Sequence, residues 1–249
     1  MFTSDKEDNN LYSRADDALN LSQLRHNPCF LGFLNEREQF IISERFSYAK
    51  SKIRFFGGYD NAARRVMCAC DYDVDNDDFP IDKLCYKFRK EDSLSHRDFL
   101  GSLMGLGIER SCIGDIIIEE QFAAVFVKSE VCDYIKSQLT KVGRAGVKLI
   151  PDNECLLSYE PDIEVLHFIV SSMRLDAVVA AITKLSRTKS ASLILSGKVF
   201  TNYFENHNIS YILKPDDILT IRGNGKFIIE GQSSVTKKGR LKININHYR

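Results

Sequence analysis

Three short stretches of this chain combine residue types and spacings that could support chemistry. His96-Arg97-Asp98 spells the start of a kinase catalytic loop, in which the aspartate serves as base during phosphoryl transfer. Such a loop needs an asparagine five residues after the aspartate to hold a metal, and Leu103 stands there. The Asp-Phe-Gly stretch and the Gly-rich loop that would complete a kinase are missing as well, which excludes that reaction. The acidic run Asp71–Asp82 has the length of a calcium loop. Asn76 and Asp82, however, occupy the places that require glycine and a bidentate glutamate. Cys68 and Cys70 sit too close for a usual zinc pair and have no second pair; on a strand both thiols would face one side, into a core. We therefore expect no catalytic residue, no metal and no cofactor.

What remains is anion binding. The formal net charge is zero, yet residues 171–249 carry 13 Lys+Arg against 5 Asp+Glu, while residues 1–170 carry 21 against 29. A basic end on an acidic body suggests a module for polyanions. Within it Ser186 can cap a helix whose Arg187 and Ser190, three residues apart, share an outward edge with Lys189 nearby. A helix N-terminus ringed by cations suits phosphate oxygens through its N–H groups and charge together. Arg222-Gly223-Asn224-Gly225-Lys226 and the run holding Lys237, Lys238 and Arg240 would extend the basic surface. A plain β-hairpin with exposed lysines is the alternative for this tail.

These residues need a frame. Asn35 precedes an amphipathic helix, and 52–56 and the segment from Arg64 read as strands. From Ile81 the order is strand (84–88), helix (95–104), two strands (113–119 and 122–127), helix (130–142) and strand (147–150). Phe99, Leu100, Leu103 and Met104 make the core face of the first of these helices. This is the βαββαβ order of ferredoxin-like and RRM-like domains, which host many functions. After a linker near 151–162, apolar density resumes at Val165–Val170. Leu175, Val178, Val179, Ile182 and Leu185 then share one helical face, and Ala191, Ile194 and Leu195 turn inward from the next helix. Strands follow at 198–202 and 217–222. The expectation is an α+β chain of three parts: an N-terminal α/β segment (1–80), an RRM-like domain (81–163) and the basic module (164–249).

In that module Arg174-Leu175-Asp176, Ser186-Arg187, Lys189-Ser190-Ala191, Gly197-Lys198-Val199, Asn202, Lys214-Pro215, Asp217-Ile218 and Ile221 follow one another in an order that resembles the S4 RNA-binding domain. Asp216 departs from the glycine usual there, a change that a type I turn would tolerate. The resemblance implies binding of structured RNA. Arg174, Ser186, Arg187, Lys189, Ser190, Lys198 and Asn202 would form the RNA face, extended by Arg222, Lys226, Lys237, Lys238 and Arg240. Pseudouridine synthases with S4 domains carry a nucleophilic aspartate in Gly-Arg-Leu-Asp. Gly239-Arg240-Leu241-Lys242 has lysine instead, so an RNA-modifying enzyme is the disfavoured alternative.

Further motifs run the length of the chain: Phe33-Leu34 with Gln39, Phe56-Gly57-Gly58-Tyr59 with Arg64, and His96-Arg97-Asp98 with Leu100-Gly101. Gly105-Leu106-Gly107-Ile108 with Arg110, and Ile113-Gly114-Asp115-Ile116, complete the set. Together with the S4-like end they resemble the YlmH family of bacterial S4-domain proteins. Ala63 stands where the family usually has glutamate, and its usual N-terminal tryptophan is missing. The resemblance implies a non-enzymatic RNA-binding protein acting on large-subunit ribosomal RNA, tRNA or both, in translation or ribosome quality control. An interaction protein of cell division is the other reading. Arg64, His96, Arg97 and Arg110 become candidates for a second RNA or ribosome contact, against simple salt-bridging roles.

Composition fits this picture. Hydrophobic residues make up 44% of the chain, enough for cores. No apolar run approaches the roughly 18 residues that span a bilayer. The acidic, polar N-terminus is wrong for a secretory signal, and seven cysteines without paired spacing argue against a disulfide framework. The expected protein is cytoplasmic and monomeric, away from membranes, with the large ribosomal subunit as its partner.

Overall fold

Leu11, Ala15, Ala18 and Leu19 recur at helical spacing through the polar N-terminus, and all four are buried as one face of α1 (Lys6–Arg25). The structure, a computed structural model, describes residues 6–155, 157, 160, 162–236 and 239–248. It divides into two compact units, Met1–Tyr159 and Glu160–Arg249, and the whole is α+β.

In the first unit α1 leads into β1 (Cys29–Leu34) and α2 (Glu36–Arg45). Asn35 caps α2 as its sequence suggests: its side-chain oxygen accepts from Glu38 N at 2.9 Å, and Glu38 accepts in return from Asn35 N at 2.7 Å. Two 2.8 Å bonds from Arg37 to the Asp8 carboxylate fasten α2 to α1. With β2 (Ile53–Phe56) and β3 (Arg65–Ala69), β1 forms an antiparallel sheet of order β1-β3-β2.

The RRM-like part follows as β4 (Ile81–Lys87), α3 (His96–Gly105), β5 (Ile113–Glu119), β6 (Phe122–Lys128), α4 (Ser129–Gln138), β7 (Lys141–Val142), β8 (Ala145–Gly146) and β9 (Lys148–Ile150). Its four-stranded sheet runs β5-β6-β4-β9, with every neighbour antiparallel. The second helix stops earlier than its apolar spacing suggests. Gly143, at φ +58°, lets a two-residue loop reverse the chain between β7 and β8, so Val142 reaches the core from a strand. Met104 is 46% exposed, while Phe99 and Leu103 are fully buried, so the core face of α3 is narrower than expected.

Strand alternation gives the four-stranded sheet two apolar faces. Leu84, Tyr86, Val125 and Val127 meet the two helices on one side. Cys85, Ala124, Phe126 and Ile150 meet Phe33, Val66 and Cys68 of the first sheet on the other. Residues on both sides of position 80 therefore share one core. Gly114 marks how close the sheets come, since a Cβ there would lie 2.6 Å from the Phe33 ring. Burying Phe33 and Phe126 contributes roughly 2–3 kcal/mol each.

The second unit consists of β10 (Ile163–Val170), α5 (Leu175–Thr183), α6 (Arg187–Leu195), β11 (Val199–Thr201), β12 (Phe204–Glu205), β13 (Ile218–Ile221), β14 (Gly225–Val235) and β15 (Leu241–Tyr248). The strands form one antiparallel sheet, β10-β15-β14-β13-β11-β12. The core joins Leu175, Val178, Val179 and Ile194 of the helices to Leu219, Ile221, Phe227, Ile229, Ile243 and Ile245 of the sheet. Leu195, expected inside, is 61% exposed, because α6 turns Ser190 and Ile194 inward instead. The tail forms the β14–β15 hairpin.

The Lys214–Asp217 turn corrects an expectation. Asp217 N donates to Lys214 O at 3.2 Å, and Asp216 sits at φ +68°. With proline second and a positive φ third, this is a type II turn, the form that favours glycine at Asp216.

Candidate nucleic-acid interface

Arg174 precedes α5 and Arg187 opens α6, and both side chains converge on one carboxylate in the first turn of α5. Between them lies Asp176, which is buried. Arg174 donates to its carboxylate from Nε at 3.1 Å and from the terminal nitrogen at 3.3 Å. Arg187 does the same at 3.2 and 2.5 Å, and also donates to Ser171 Oγ at 3.2 Å. Burial works to raise the Asp176 pKa, but the Arg174 and Arg187 bonds outweigh it and hold the carboxyl below its usual value. The two arginine side chains remain 37% and 46% exposed, so they are oriented without being withdrawn from water.

The N-terminus of α6 completes this end. Ser186 Oγ accepts from Lys189 N at 3.3 Å, which leaves the Lys189 side chain exposed on the first turn. Ser190 is a correction. It is fully buried, and its hydroxyl donates to Asp176 O at 2.8 Å, so it locks α6 onto α5 and cannot touch RNA. Leu241 pairs with Val170, which places exposed Arg240 at the end of the sheet where Ser171 receives Arg187.

The remaining basic residues gather elsewhere. Arg222 N donates to Lys198 O at 2.9 Å, which puts these two residues side by side. The Arg222 guanidinium lies 4.9 Å from the Phe200 ring, and Lys226 lies 5.0 Å from the Tyr248 ring. Lys226 pairs with Tyr248, whereas Arg240 adjoins the far end of the same hairpin, roughly 33 Å away along an 11-residue strand. The expected single RNA face is thus two basic patches. Asn202 belongs to neither. Its amide donates to Asp217 at 2.9 Å and accepts from Ile218 N at 2.9 Å, so it holds a turn rather than offering a contact. Lys237 and Lys238 lie outside the described residues.

In the first unit the four residues of the second candidate contact part ways: Arg64 and Arg110 turn inward, while His96 and Arg97 are exposed. Arg64 is half-buried, and its guanidinium donates to the carbonyls of Ile113, Phe33 and Arg110 at 2.9, 2.8 and 3.1 Å. Burial, and then the charge of Arg110, push its pKa down to about 10. Arg110 is likewise lowered by burial and donates to Ile113 O. Both guanidiniums are engaged as internal ties to backbone carbonyls. Asp115 gathers Tyr59 Oη, Ala63 N and Arg64 N at 2.8, 2.7 and 3.0 Å, so the motifs around Gly58, Arg64 and Gly114 form one structural knot. Desolvation and then Arg110 lower the His96 pKa, while Arg97 is exposed.

The catalytic look-alikes resolve too. His96-Arg97-Asp98 is the first turn of α3, where Asp98 accepts from Ser95 N at 2.8 Å and from Ser95 Oγ at 2.6 Å. Cys68 and Cys70 are buried in the shared core, and burial pushes the Cys68 thiol up to about 12. Among the described residues no group of three or more His, Cys, Asp or Glu is placed to hold a metal. Among them also, no helix is long and apolar enough to cross a membrane.

Against this geometry the comparisons with known proteins can be set. The family described as "Putative RNA-binding domain in YlmH" matches residues 75–154, the RRM-like part. The chain is 34% identical over 215 residues to the "Ribosome-associated protein quality control protein P2" of Bacillus subtilis, covering 85% of this chain and 84% of the relative. The chain belongs to the YlmH family. A YlmH-type structure, "Cell division protein ylmH from Streptococcus pneumoniae", matches with a TM-score of 0.50 and 17% identity, over 62% of this chain and 97% of that one. It shares the fold. The "Small ribosomal subunit protein uS4" of Carsonella ruddii is 40% identical over 70 residues, 28% of this chain and 34% of that protein. Sequence reading missed the role of Asp176 in this YlmH chain, although Arg174-Leu175-Asp176 was visible as a motif.

Proposed function

We propose that this chain is a non-enzymatic, ribosome-associated RNA-binding protein that docks on structured RNA: large-subunit ribosomal RNA, tRNA, or both. The observation that carries this reading is the pair of half-exposed guanidiniums, Arg174 and Arg187, aimed by one buried carboxylate beside the N-terminus of α6. Paired guanidiniums at a helix N-terminus match phosphate oxygens in both charge and geometry. The Bacillus subtilis relative supports the ribosome as the setting through its name, and the likeness to uS4 supports RNA as the ligand. A cell-division role has only the name of the pneumococcal structure behind it, at an identity that speaks to fold alone.

Sedimentation with purified ribosomal subunits at two salt concentrations tests the reading. The protein should travel with large subunits at low salt and detach as salt rises. The Arg187→Ala/Lys189→Ala variant should detach at lower salt than the wild type. A wild-type protein that stays at the top of the gradient at low salt refutes the proposal.

A further inference from the structure

We infer that the first unit carries a second phosphate-binding site, on the rim of its four-stranded sheet rather than on the face of that sheet. This rests on the RNA-binding reading above and names where the first unit meets the RNA backbone. RRM domains bind bases by stacking them on aromatic side chains of an exposed sheet face. Here that route is closed. Phe126, Cys85 and Ala124 on the face opposite the helices are covered by Phe33, Val66 and Cys68 of the first sheet. The Phe126 ring is 5.0 Å from that of Tyr59.

The rim offers something else. Pairing of β4 with β9 brings together two basic runs, Lys87-Phe88-Arg89-Lys90 and the segment 141–148. They hold Lys87, Arg89, Lys90, Lys141, Arg144 and Lys148 and no carboxylate, within a region of 170 residues that is acidic as a whole. Lys87, Arg89, Lys90 and Lys148 line an open depression of about 510 Å³, with Gln121 beside them and Glu91 the only acid in its wall.

The four cations differ in how they are held. Arg89 is tied to Asp92 at 3.0 Å and Lys90 to Glu120 at 3.4 Å. Lys87 and Lys148 stand directly opposite each other in the β4–β9 register, and neither has a carboxylate in ion-pair range among the described residues. Like charges directly opposite on neighbouring strands destabilise a sheet. An anion between them turns that repulsion into two attractions. Gly146 lines the same depression, and nothing lies within 4 Å of where its Cβ would be, so a backbone phosphate has room to enter. The ligand is the phosphodiester chain of RNA, recognised by charge and not by base.

The test measures affinity of the full-length chain for purified ribosomal RNA across a salt series. Three variants are compared with the wild type: Lys87→Ala/Lys148→Ala, a control pair Lys50→Ala/Lys136→Ala on exposed positions of the same unit, and Arg187→Ala/Lys189→Ala. Losing two phosphate contacts should make the slope of log affinity against log salt shallower by about 1.5 for the rim pair, with no change for the control pair. The rim variant should melt within a few degrees of the wild type, because the relieved repulsion offsets the lost contact of Lys87 with the Phe122 ring, which separates lost binding from lost folding. If the rim pair leaves the slope unchanged while the Arg187/Lys189 pair lowers it, the rim site is overturned and the S4-type reading stands. If rim and control pairs shift the slope equally, only bulk charge is at work and the site is overturned. Wild-type protein that does not bind at low salt overturns both.

Discussion

Replacing Asp176 by asparagine separates two roles for the carboxylate between Arg174 and Arg187. Asparagine keeps the shape and one acceptor oxygen but loses the charge. Charge-assisted hydrogen bonds contribute about 1 kcal/mol more than neutral ones. With one such difference for each arginine, the variant should lose about 2 kcal/mol of stability. The arginines are 37% and 46% exposed, which keeps this below the roughly 3–5 kcal/mol of a fully buried broken pair. In a unit the size of Glu160–Arg249, that lowers the melting temperature by roughly 10 °C. The pH dependence has a fixed sign. The folded pKa of Asp176 lies below its unfolded value, so its stabilisation is complete above the ordinary carboxylate pKa and is lost as pH falls through the folded one. The stability gap between wild type and variant should be flat from neutral pH down to about 5 and close below about 4. Binding decides the role. Removing a negative charge from between two cations should tighten RNA binding if charge alone matters. If Asp176 acts by aiming the guanidiniums, each must be ordered anew on binding at about 0.5–1.5 kcal/mol, and affinity should fall about tenfold. The salt slope should hardly move, since no cation is lost. Equal or tighter binding by Asp176→Asn, measured by fluorescence anisotropy, would refute the positioning role.

Two further substitutions test the structural roles of Arg64 and Asp216. Arg64→Met removes a donor from three carbonyls and should cost about 2–3 kcal/mol, lowering the melting of the first unit by roughly 6–10 °C while leaving the RNA salt slope untouched. A slope shallower by about one would instead return Arg64 to the RNA surface. Asp216→Gly relieves a left-handed backbone that costs a non-glycine residue about 1–2 kcal/mol, offset by about 0.5–1 kcal/mol of glycine chain entropy. Thermal melts should show a rise of a few degrees for the second unit, and a fall would contradict the type II turn.

The elements that were legible in the sequence are those where one physical rule acts locally. Alternation in Leu84–Phe88 and the short apolar run Phe122–Val127 specified strands, Asn35 specified a cap, and Ser186 specified the start of α6. The helix α1 was missed, because its polar composition masks the stripe of Leu11, Ala15 and Ala18. Other features depend on partners distant in the chain. Arg64 looks like any surface cation until Phe33, 31 residues away, supplies an acceptor. Cys85 and Phe126 read as one face of a sheet, and nothing local says that a second sheet will cover it. Pro215 fits type I and type II turns alike, so only the backbone at Asp216 decides between them.

The fates of the arginines show what composition cannot resolve. Arg64 and Arg110 meet neutral carbonyls in a half-buried setting, and burial lowers their pKa values. Arg174 and Arg187 meet a carboxylate and keep their outer edges in water. Counted as charge, the cluster of Arg174, Arg187 and Asp176 is worth only one positive unit, less than two lysines would give. If Asp176 acts by positioning, it trades attraction for direction. That exchange favours a ligand whose phosphates stand at fixed positions over one that is merely polyanionic, because a preset fork gains most where the partner is also preset. On the same proposal, the acid excess over residues 1–170 would act in the same sense, weakening indiscriminate binding of nucleic acid. On the proposed function, discrimination for structured RNA would come from restraint on charge as much as from charge itself.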